Sequence, residues 1–126
     1  MERERTERLL RDLYAARVRG DLHGLCATFA PGAYFRIAGA SNASPIALCA
    51  SGAEQYRPIL ALLIKTFTLR DQEILSMIVD GPAAAVHWRA SVFSRITGTS
   101  ISTELVDIVR IRDERIASYI EFFVPS

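Results

Sequence analysis

The sequence predicts an α+β fold, in which helices of the first half pack on an antiparallel sheet formed by the second half. Up to about residue 67, apolar residues recur at steps of three and four, which is typical of helices. From about residue 73, β-branched and aromatic runs alternate with short turns, and strands joined by short turns are antiparallel. Helices followed by a strand meander are characteristic of α+β domains, where the helices cover one sheet face.

Composition and charge define the class of protein but not its function. The chain has 126 residues, of which 50% are hydrophobic and 23% charged, as in an ordinary single globular domain. The net charge of +1 favours neither nucleic acid nor a membrane as a partner. The charged first eight residues show no secretory signal pattern. We therefore expect a cytoplasmic protein, with Cys26 and Cys49 as buried reduced thiols rather than a disulfide.

Two helices are predicted at the start of the chain. Within residues 6–19, leucine, tyrosine and valine side chains recur at helical spacing and form one apolar face. Gly20 is placed to end this helix, and Asp21 can cap the next one by accepting its free amide hydrogens. The inward stripe of the short second helix consists of Leu22, Leu25, Cys26 and Phe29. Pro31 and Gly32 are predicted to stop it.

A short strand, a loop and a third helix are predicted next. Residues 33–37 are β-branched and aromatic enough for a strand, whereas residues 38–50 are rich in serine, alanine and asparagine and predict a loop. Ser51 and Glu54 have the spacing of a capping box, in which the serine caps an amide and the glutamate reaches back. A third helix follows, and we expect Pro58 to kink it.

Four strands are predicted in the second half, at residues 73–79, 83–94, 102–112 and 116–124. The last two are apolar on both faces, whereas a sheet with one solvated face shows a clean alternation. Because the helices can cover only one face, we expect a homodimer through the outer face of the sheet. The alternative is a monomer with an apolar outer face.

Two acids in otherwise apolar strands point to chemistry. Asp107 and Glu121 each lie between β-branched or aromatic neighbours. A buried carboxylate without a partner is destabilising unless it binds a proton, so such acids indicate a wet cavity or a chemical use. The alternative is that each acid pairs with an arginine of a neighbouring strand, namely Arg89, Arg110 or Arg112.

The register between the predicted strands at residues 83–94 and 102–112 decides which residues surround Asp107. A two-residue turn at Gly98 and Thr99 would place Asp107 opposite Ala90. Trp88 would then share the face of both residues, and the small alanine would leave space beside the carboxylate. We therefore expect Trp88 and Ala90 to line a substrate pocket.

The last hairpin leaves two alternatives open. A three-residue loop at positions 113–115 would set Asp107 directly opposite Glu121, with Cβ atoms about 5 Å apart. A two-residue turn at Asp113 and Glu114 would put the two acids on opposite faces. If they do share an apolar cavity, both cannot ionise easily, so one pKa should rise. A neutral acid beside a charged base is suited to proton transfer.

The remaining candidates are aromatic residues and histidines. Tyr119 shares a face with the second acid, and Tyr14 can add its hydroxyl from the first helix, so both are candidates for substrate binding. His87 alternates out of phase with Trp88 and should point to the opposite face, while His23 should lie on the helix surface. Because no carboxylate lies at ligand spacing from either histidine, we expect no metal site. No phosphate-binding loop, cofactor motif or Ser–His–Asp pattern is recognisable.

Several short motifs occur in a fixed order: Gly20-Asp21-Leu22, Phe29-Ala30-Pro31-Gly32-Ala33, Val86-His87-Trp88, Gly98, Asp107-Ile108-Val109-Arg110-Ile111 and Arg115-Ile116. With this order the chain resembles the SnoaL-like and ketosteroid-isomerase-like group of the nuclear-transport-factor-two-like superfamily. The resemblance implies one domain over residues 1–126, a cone-shaped roll of three N-terminal helices on a strongly curved, mostly antiparallel, cystatin-like sheet. It also implies an apolar pocket at the open end and dimerisation through the outer sheet face.

The resemblance transfers only part of the known catalytic machinery. The general-base aspartate of the isomerases falls at Ile37 and their oxyanion-hole tyrosine at Leu13, whereas their second, hydrogen-bond-donating carboxylate matches Asp107. The acid that cyclases and epoxide hydrolases carry on the last strand matches Glu121. The additional arginine and aspartate of the epoxide hydrolases fall at Trp88 and Ala90, so that pair of residues is missing from this chain.

These observations predict a small dimeric protein that binds a hydrophobic cyclic or polyketide-like molecule. As an enzyme it would use cofactor-free acid–base chemistry, such as isomerisation, cyclisation or dehydration, with Glu121 as base and Asp107 as a neutral donor. The alternative is a ligand-binding module without chemistry.

Overall fold

A computed structural model describes residues 2–39 and 48–123. Its elements are α1 (Arg3–Arg19), α2 (Leu22–Ala27), β1 (Phe29–Gly39), β2 (Leu48–Ser51), α3 (Ala53–Thr66), β3 (Phe67–Asp80), β4 (Ala83–Ser94), β5 (Ser100–Arg112) and β6 (Arg115–Phe123). The three helices pack against one face of a curved six-stranded sheet with the order β2-β1-β6-β5-β4-β3. Within the described strands, β1 and β6 pair in parallel and the other neighbours are antiparallel. The predicted α+β class is therefore confirmed.

The junction between α1 and α2 follows the sequence signals. Gly20 adopts a left-handed conformation with φ 72°, which a residue without Cβ adopts without strain, and it ends α1. The side chain of Asp21 accepts a hydrogen bond from the backbone N–H of Gly24 at 2.9 Å, as predicted for a cap. The end of α2 differs from the prediction, because Pro31 and Gly32 lie inside β1 and the helix already ends at Ala27.

The start of α3 also differs from the prediction. Gly52 is the capping residue and makes no side-chain cap, so the expected capping box of Ser51 and Glu54 is wrong. The next residue, Gln55, reaches back instead, and its Oε1 accepts the backbone N–H of Ser51 at 2.9 Å. Pro58 lies within the helix.

Part of the predicted loop at residues 38–50 forms strands. Its first two residues extend β1, and Leu48–Ser51 form β2, which pairs with β1 at the edge of the sheet. Residues 40–47 lie outside the described part of the chain. Cys49 is exposed on β2, contrary to the expectation that both thiols are buried, whereas Cys26 is buried; neither forms a disulfide.

β3 is longer than predicted because it begins directly after α3 and contains two bulges. Its pairing with β4 shifts between Arg70 and Glu73 and again between Ile74 and Ser76. Bulges bend a strand and increase its twist, so we expect β3 to bend at these two positions. No helix of the described residues is long and apolar enough to cross a membrane.

The turn between β4 and β5 is longer than two residues, so the predicted two-residue turn at Gly98 and Thr99 is wrong. Ladder pairing stops at Phe93 and Ser100, so Ala90 lies opposite Thr103 rather than Asp107. The register changes by an even number of positions, which keeps every side chain on its predicted face. Ala90 and Asp107 therefore still share the inner face of the sheet.

The β5–β6 hairpin combines the two predicted alternatives. Its turn has two residues, Asp113 and Glu114, and both are left-handed, with φ of 54° and 63°. Such a turn alone would place the acids on opposite faces. Ala117 of β6 has no counterpart on β5, however, and this one-residue bulge restores the direct pairing of Asp107 with Glu121.

The outer face of the sheet carries an apolar patch, which we define as Ile78, Val106, Ile108, Ile120 and Phe122. The ladder pairs place Val106 beside Phe122 and Ile108 beside Ile120, so the patch is continuous across β5 and β6. Val106, Ile108 and Phe122 remain 38–44% exposed.

Candidate functional site

The buried polar residues of the inner sheet face form one connected group beneath α1. Asp107 and Glu121 are buried opposite each other on β5 and β6. Trp88 of β4 and Tyr119 of β6 are buried beside them, and α1 contributes Tyr14 and Arg17. We call these six residues the acid cluster.

The carboxyl group of Asp107 is surrounded by donors on one side only. Its Oδ2 accepts hydrogen bonds from the Tyr14 hydroxyl at 2.5 Å and from Trp88 Nε1 at 2.7 Å, and it also contacts the Tyr119 hydroxyl. Its Oδ1 is buried and has no hydrogen-bond partner among the residues that the structure describes. Asp107 thus joins α1, β4 and β6 through a single oxygen.

Glu121 is held by an arginine of α1. Arg17 Nη1 lies 2.5 Å from Glu121 Oε2, and Nη2 lies 3.0 Å from Oε1. Such a bidentate, charge-assisted pair fixes both groups in orientation. The guanidinium also lies over the ring of Trp88, 5.1 Å from its centroid, and the Arg17 side chain is only 16% exposed.

Arg17 is the member of the acid cluster that was not predicted from the sequence. Of the three arginines considered as partners, Arg89 pairs with the exposed Glu73, and Arg110 and Arg112 are exposed. A signal for Arg17 was present, because it lies seven residues after Leu10 and so continues the apolar stripe of α1. A charged residue in such a stripe predicts a buried partner.

Tyr119 contacts both acids. Its hydroxyl bonds to Asp107 Oδ2, lies 3.2 Å from Glu121 Oε2 and lies 3.4 Å from Arg17 Nη1. The ring stacks on Phe35 with a centroid distance of 5.7 Å and an angle of 12°. This packing fixes the ring, so the hydroxyl stays between the two carboxyl groups.

The pKa values of the two acids are shifted in opposite directions. Burial raises the pKa of Asp107 well above its usual value, and the nearby charge of Glu121 raises it further. Burial also acts to raise the pKa of Glu121, but the charge and hydrogen bonds of Arg17 outweigh it and hold that pKa below its usual value. Asp107 is thus the member of the pair whose pKa is raised, in the direction that the sequence predicts for one of the two acids.

Charge balance agrees with these directions. One arginine faces two carboxyl groups, so the cluster is neutral when Arg17 and Glu121 are charged and Asp107 keeps one proton. The tyrosines stay protonated, because burial and the neighbouring Asp107 raise the pKa of both Tyr14 and Tyr119 well above the usual value. The acid cluster therefore holds a single acidic proton.

An apolar cavity of about 20 Å³ adjoins the acid cluster at Arg17. This is roughly room for one water molecule. Its other lining residues are Leu25, Leu60, Leu63, Ile64, Phe67 and Leu69. Trp88, Tyr119, Tyr14 and Ala90, which the sequence predicts as substrate-binding residues, are not among them. The first three surround Asp107, and Ala90 borders a wider polar hollow near Glu104.

The other sequence-selected residues lie outside the cluster or contribute no polar group to it. His87 points to the outer face, as predicted, where its Nε2 lies 2.8 Å from Glu104, and His23 is exposed. Ile37 and Leu13, which occupy the isomerase positions, are buried apolar residues. Tyr14 follows Leu13 directly and supplies a hydroxyl to Asp107 from the same helix.

The family model of the SnoaL-like domain matches residues 10–119, which includes α2, α3 and every strand except the end of β6. The chain belongs to the SnoaL-like family. No curated protein matches the sequence. The ketosteroid-isomerase-like and nuclear-transport-factor-two-like resemblance seen in the sequence is therefore confirmed at the level of family and fold.

Solved structures with the same fold resemble this SnoaL-like domain over nearly its whole length. A provisionally assigned isomerase from Bacillus subtilis has a TM-score of 0.83 and 17% identity, covering 97% of this chain and 88% of its own. A nuclear-transport-factor-two-like protein from Burkholderia xenovorans has a TM-score of 0.77 and 20% identity, with coverages of 98% and 92%. An epoxide hydrolase from M. tuberculosis of the LEH-like type has a TM-score of 0.74 and 14% identity, with coverages of 93% and 80%. At these identities the likeness establishes the fold alone.

Proposed function

We propose that this SnoaL-like domain binds a small hydrophobic cyclic or polyketide-like molecule and performs cofactor-free acid–base chemistry on it, of the isomerase, cyclase or dehydratase type. The observation that carries the proposal is the buried pair of Asp107 and Glu121, whose pKa values move in opposite directions beside an apolar cavity. A pair of acids with separated pKa values provides a base and an acid at the same pH.

Arg17 belongs to the acid cluster and also lines the cavity. A guanidinium has five N–H donors, and the bonds to Glu121 and Tyr119 leave Nε–H and one Nη2 hydrogen without a described partner. These hydrogens can bind a carbonyl, hydroxyl or epoxide oxygen of a ligand. A ring-sized ligand fits only after side chains of α3 and the start of β3 move apart, because the cavity is small.

The two acids have different roles in this proposal. Glu121 is ionised and lies next to Arg17, so it is the base that removes a proton from the ligand. Asp107 is neutral and enclosed by Tyr14, Trp88 and Tyr119, so it is the acid of the pair and carries the proton that the two acids share. The enzyme names of two structural neighbours, an isomerase and an epoxide hydrolase, are compatible with such chemistry.

A second candidate function is ligand binding without catalysis. It is favoured by a specific observation, namely that neither carboxyl group lines the cavity. The apolar residues at the isomerase positions, Ile37 and Leu13, favour it as well.

One experiment separates the two functions. Cyclohexenone is added to the protein in D₂O, and NMR follows both amide shifts of the protein and exchange of the ligand hydrogens next to the carbonyl. The enzyme proposal predicts ligand-induced shifts at residues lining the cavity, and exchange that is lost in Glu121→Gln but retained in the exposed control Glu104→Gln. Shifts without exchange would support the binding module. A ligand series including cyclohexene oxide that produces neither would contradict the proposal.

We also propose that the apolar patch of the outer sheet face is the interface of a homodimer in the cytoplasm. Its residues are continuous across neighbouring strands and stay partly exposed. Contiguous exposed apolar surface of this kind is typical of protein interfaces. The hydrogen-bonded pair of His87 with Glu104 and the ion pair of Arg89 with Glu73 lie on the same face and would form a polar rim.

A further inference from the structure

Tyr119 presents one hydroxyl proton to two acids. Its oxygen contacts Asp107 Oδ2 and lies 3.2 Å from Glu121 Oε2. A hydroxyl donates one hydrogen bond and accepts others, so it can donate to only one of these oxygens. At the other contact the carboxyl group itself must be the donor.

The position of Arg17 decides the direction of this chain of hydrogen bonds. Arg17 binds both oxygens of Glu121, so Glu121 is the carboxylate and accepts the proton of Tyr119. Asp107 then donates to the oxygen of Tyr119. A proton on Oδ1 of Asp107 would have no acceptor, since that atom is buried without a partner, whereas a proton on Oδ2 has the Tyr119 oxygen.

We propose that Tyr119 relays a proton between Asp107 and Glu121, so that the two acids exchange protons as one unit. In the forward step the O–H bond of Asp107 breaks as a bond to the Tyr119 oxygen forms. The original phenolic proton of Tyr119 moves at the same time to Glu121 Oε2. Tyr119 is neutral before and after the step, one proton has moved from Asp107 to Glu121, and the total charge is unchanged.

The surroundings support both ends of the relay. After the transfer, Asp107 is a carboxylate that accepts hydrogen bonds from Tyr14, Trp88 and Tyr119 at Oδ2. Arg17 opposes the transfer because it favours an ionised Glu121, so the relayed proton stays on Glu121 only until Glu121 passes it to a ligand. The titratable groups that face Asp107 are Tyr14 and Arg17 from α1 and Tyr119 and Glu121 from β6, and Trp88 faces it from β4.

The relay explains how a carboxyl group remote from the cavity contributes to chemistry there. Asp107 does not line the cavity, and among the described residues its hydrogen-bonded path toward Arg17 runs through Tyr119. Tyr119 therefore acts as a positioning residue for the acid pair. The inference rests on the proposed function for its purpose, but its test needs no ligand.

The test is a carboxyl-carbon NMR titration of the wild type, Tyr119→Phe and Tyr14→Phe. Tyr14 is the matched control, because its hydroxyl bonds to Asp107 and makes no hydrogen bond to Glu121 in the described part of the chain. The relay predicts that Tyr119→Phe shifts the titrations of both acids and raises the pKa of Glu121, which loses a donor. Tyr14→Phe should shift the titration of Asp107, and the titration of Glu121 should change much less than it does in Tyr119→Phe.

Two results would overturn the relay. One is a Glu121 titration in Tyr119→Phe that superimposes on the wild type. The other, which requires no variant and holds if Tyr119→Phe does not fold, is a wild-type Tyr119 Cζ resonance that follows only one of the acids. If both acids respond as expected and no cyclic ketone or epoxide is bound or turned over, the relay stands and the proposed function fails.

Discussion

Asp107 lies directly opposite Glu121 because Ala117 bulges out of β6 between the turn and the pair. The two-residue turn alone would place Glu121 on the outer face, where Arg17 could not reach it. One unpaired residue in the last hairpin therefore brings the second acid, and Tyr119 with it, into the buried acid cluster. It also leaves Ile120 and Phe122 on the outer face, in the apolar patch.

Deleting Ala117 tests this relationship. The deletion shifts the rest of β6 by one position, which turns Glu121 outward and leaves Arg17 without its partner. Removing one partner of a buried ion pair typically costs about 3–5 kcal/mol, so we expect a loss of the free energy of unfolding of at least about 3 kcal/mol in urea denaturation. Ala117→Ser keeps the bulge and should change stability by less than about 1 kcal/mol. A deletion variant with wild-type stability would contradict this account.

Replacing Arg17 by methionine should destabilise the protein in a pH-dependent way. In the wild type the folded pKa of Glu121 is depressed, so its ionisation stabilises the fold above the unfolded pKa of about 4.3. Without Arg17 the same carboxylate is buried and unpaired. We therefore expect a loss of about 3–5 kcal/mol at pH 7 and a smaller loss at pH 4, where Glu121 is protonated in the unfolded chain.

The control for this variant is Arg89→Met, which breaks the exposed pair with Glu73. Exposed ion pairs contribute about 0–1 kcal/mol, so little change is expected at either pH. Equal losses for Arg17→Met at pH 4 and pH 7 would show that packing, rather than charge pairing, explains the role of Arg17.

Asp107→Asn should remove the loss of folding stability that the wild type shows as the pH rises. The folded pKa of Asp107 is raised, so above the unfolded pKa of about 3.9 the unfolded chain ionises while the folded protein does not. The wild type therefore loses stability as the pH rises from the unfolded to the folded pKa. Within this window the stability of Asp107→Asn relative to the wild type should rise by about 1.4 kcal/mol per pH unit.

Denaturant unfolding at several pH values measures this slope. The exposed substitution Glu104→Gln is the control and should show no comparable slope. A stability difference between Asp107→Asn and the wild type that is constant from pH 4 to pH 8 would mean that Asp107 is ionised in the folded protein throughout.

Ile108→Arg should separate the proposed dimer. Ile108 lies in the apolar patch between Ala85 of β4 and Ile120 of β6, so a charge there would be buried in the interface. We expect a dimer of the wild type in sedimentation equilibrium and a monomer of the variant. Ile96, in the β4–β5 loop, is 81% exposed, and Ile96→Arg should remain dimeric. A monomeric wild type at micromolar concentration would contradict the interface.

The fold was predictable because hydrophobic periodicity and turn residues are local signals. The limits of β4 were predicted to the residue, and those of β5 and β6 to within two residues. The left-handed Gly20 and the Asp21 cap were predicted from residue type alone. β2 was not, because a four-residue edge strand carries too short a pattern to be told from a loop.

The acid cluster was predictable only in part, because its geometry depends on bulges and on contacts between distant residues. Two acids in apolar strands were visible in the sequence, but no local signal predicted the bulge at Ala117. Arg17 and Glu121 are separated by 104 positions, and their pairing requires α1 to lie over β6. The stripe position of Arg17 indicated burial without naming the partner.

The most direct test of the acid cluster is the pH titration of the Asp107 and Glu121 carboxyl carbons in the wild-type protein by NMR. The structure predicts that Glu121 titrates below its usual range and Asp107 well above its own, with each resonance also responding to the other acid. Two independent titrations near the usual values of about 4.3 and 3.9 would contradict the account, because they would mean that the two carboxyl groups are solvated and uncoupled.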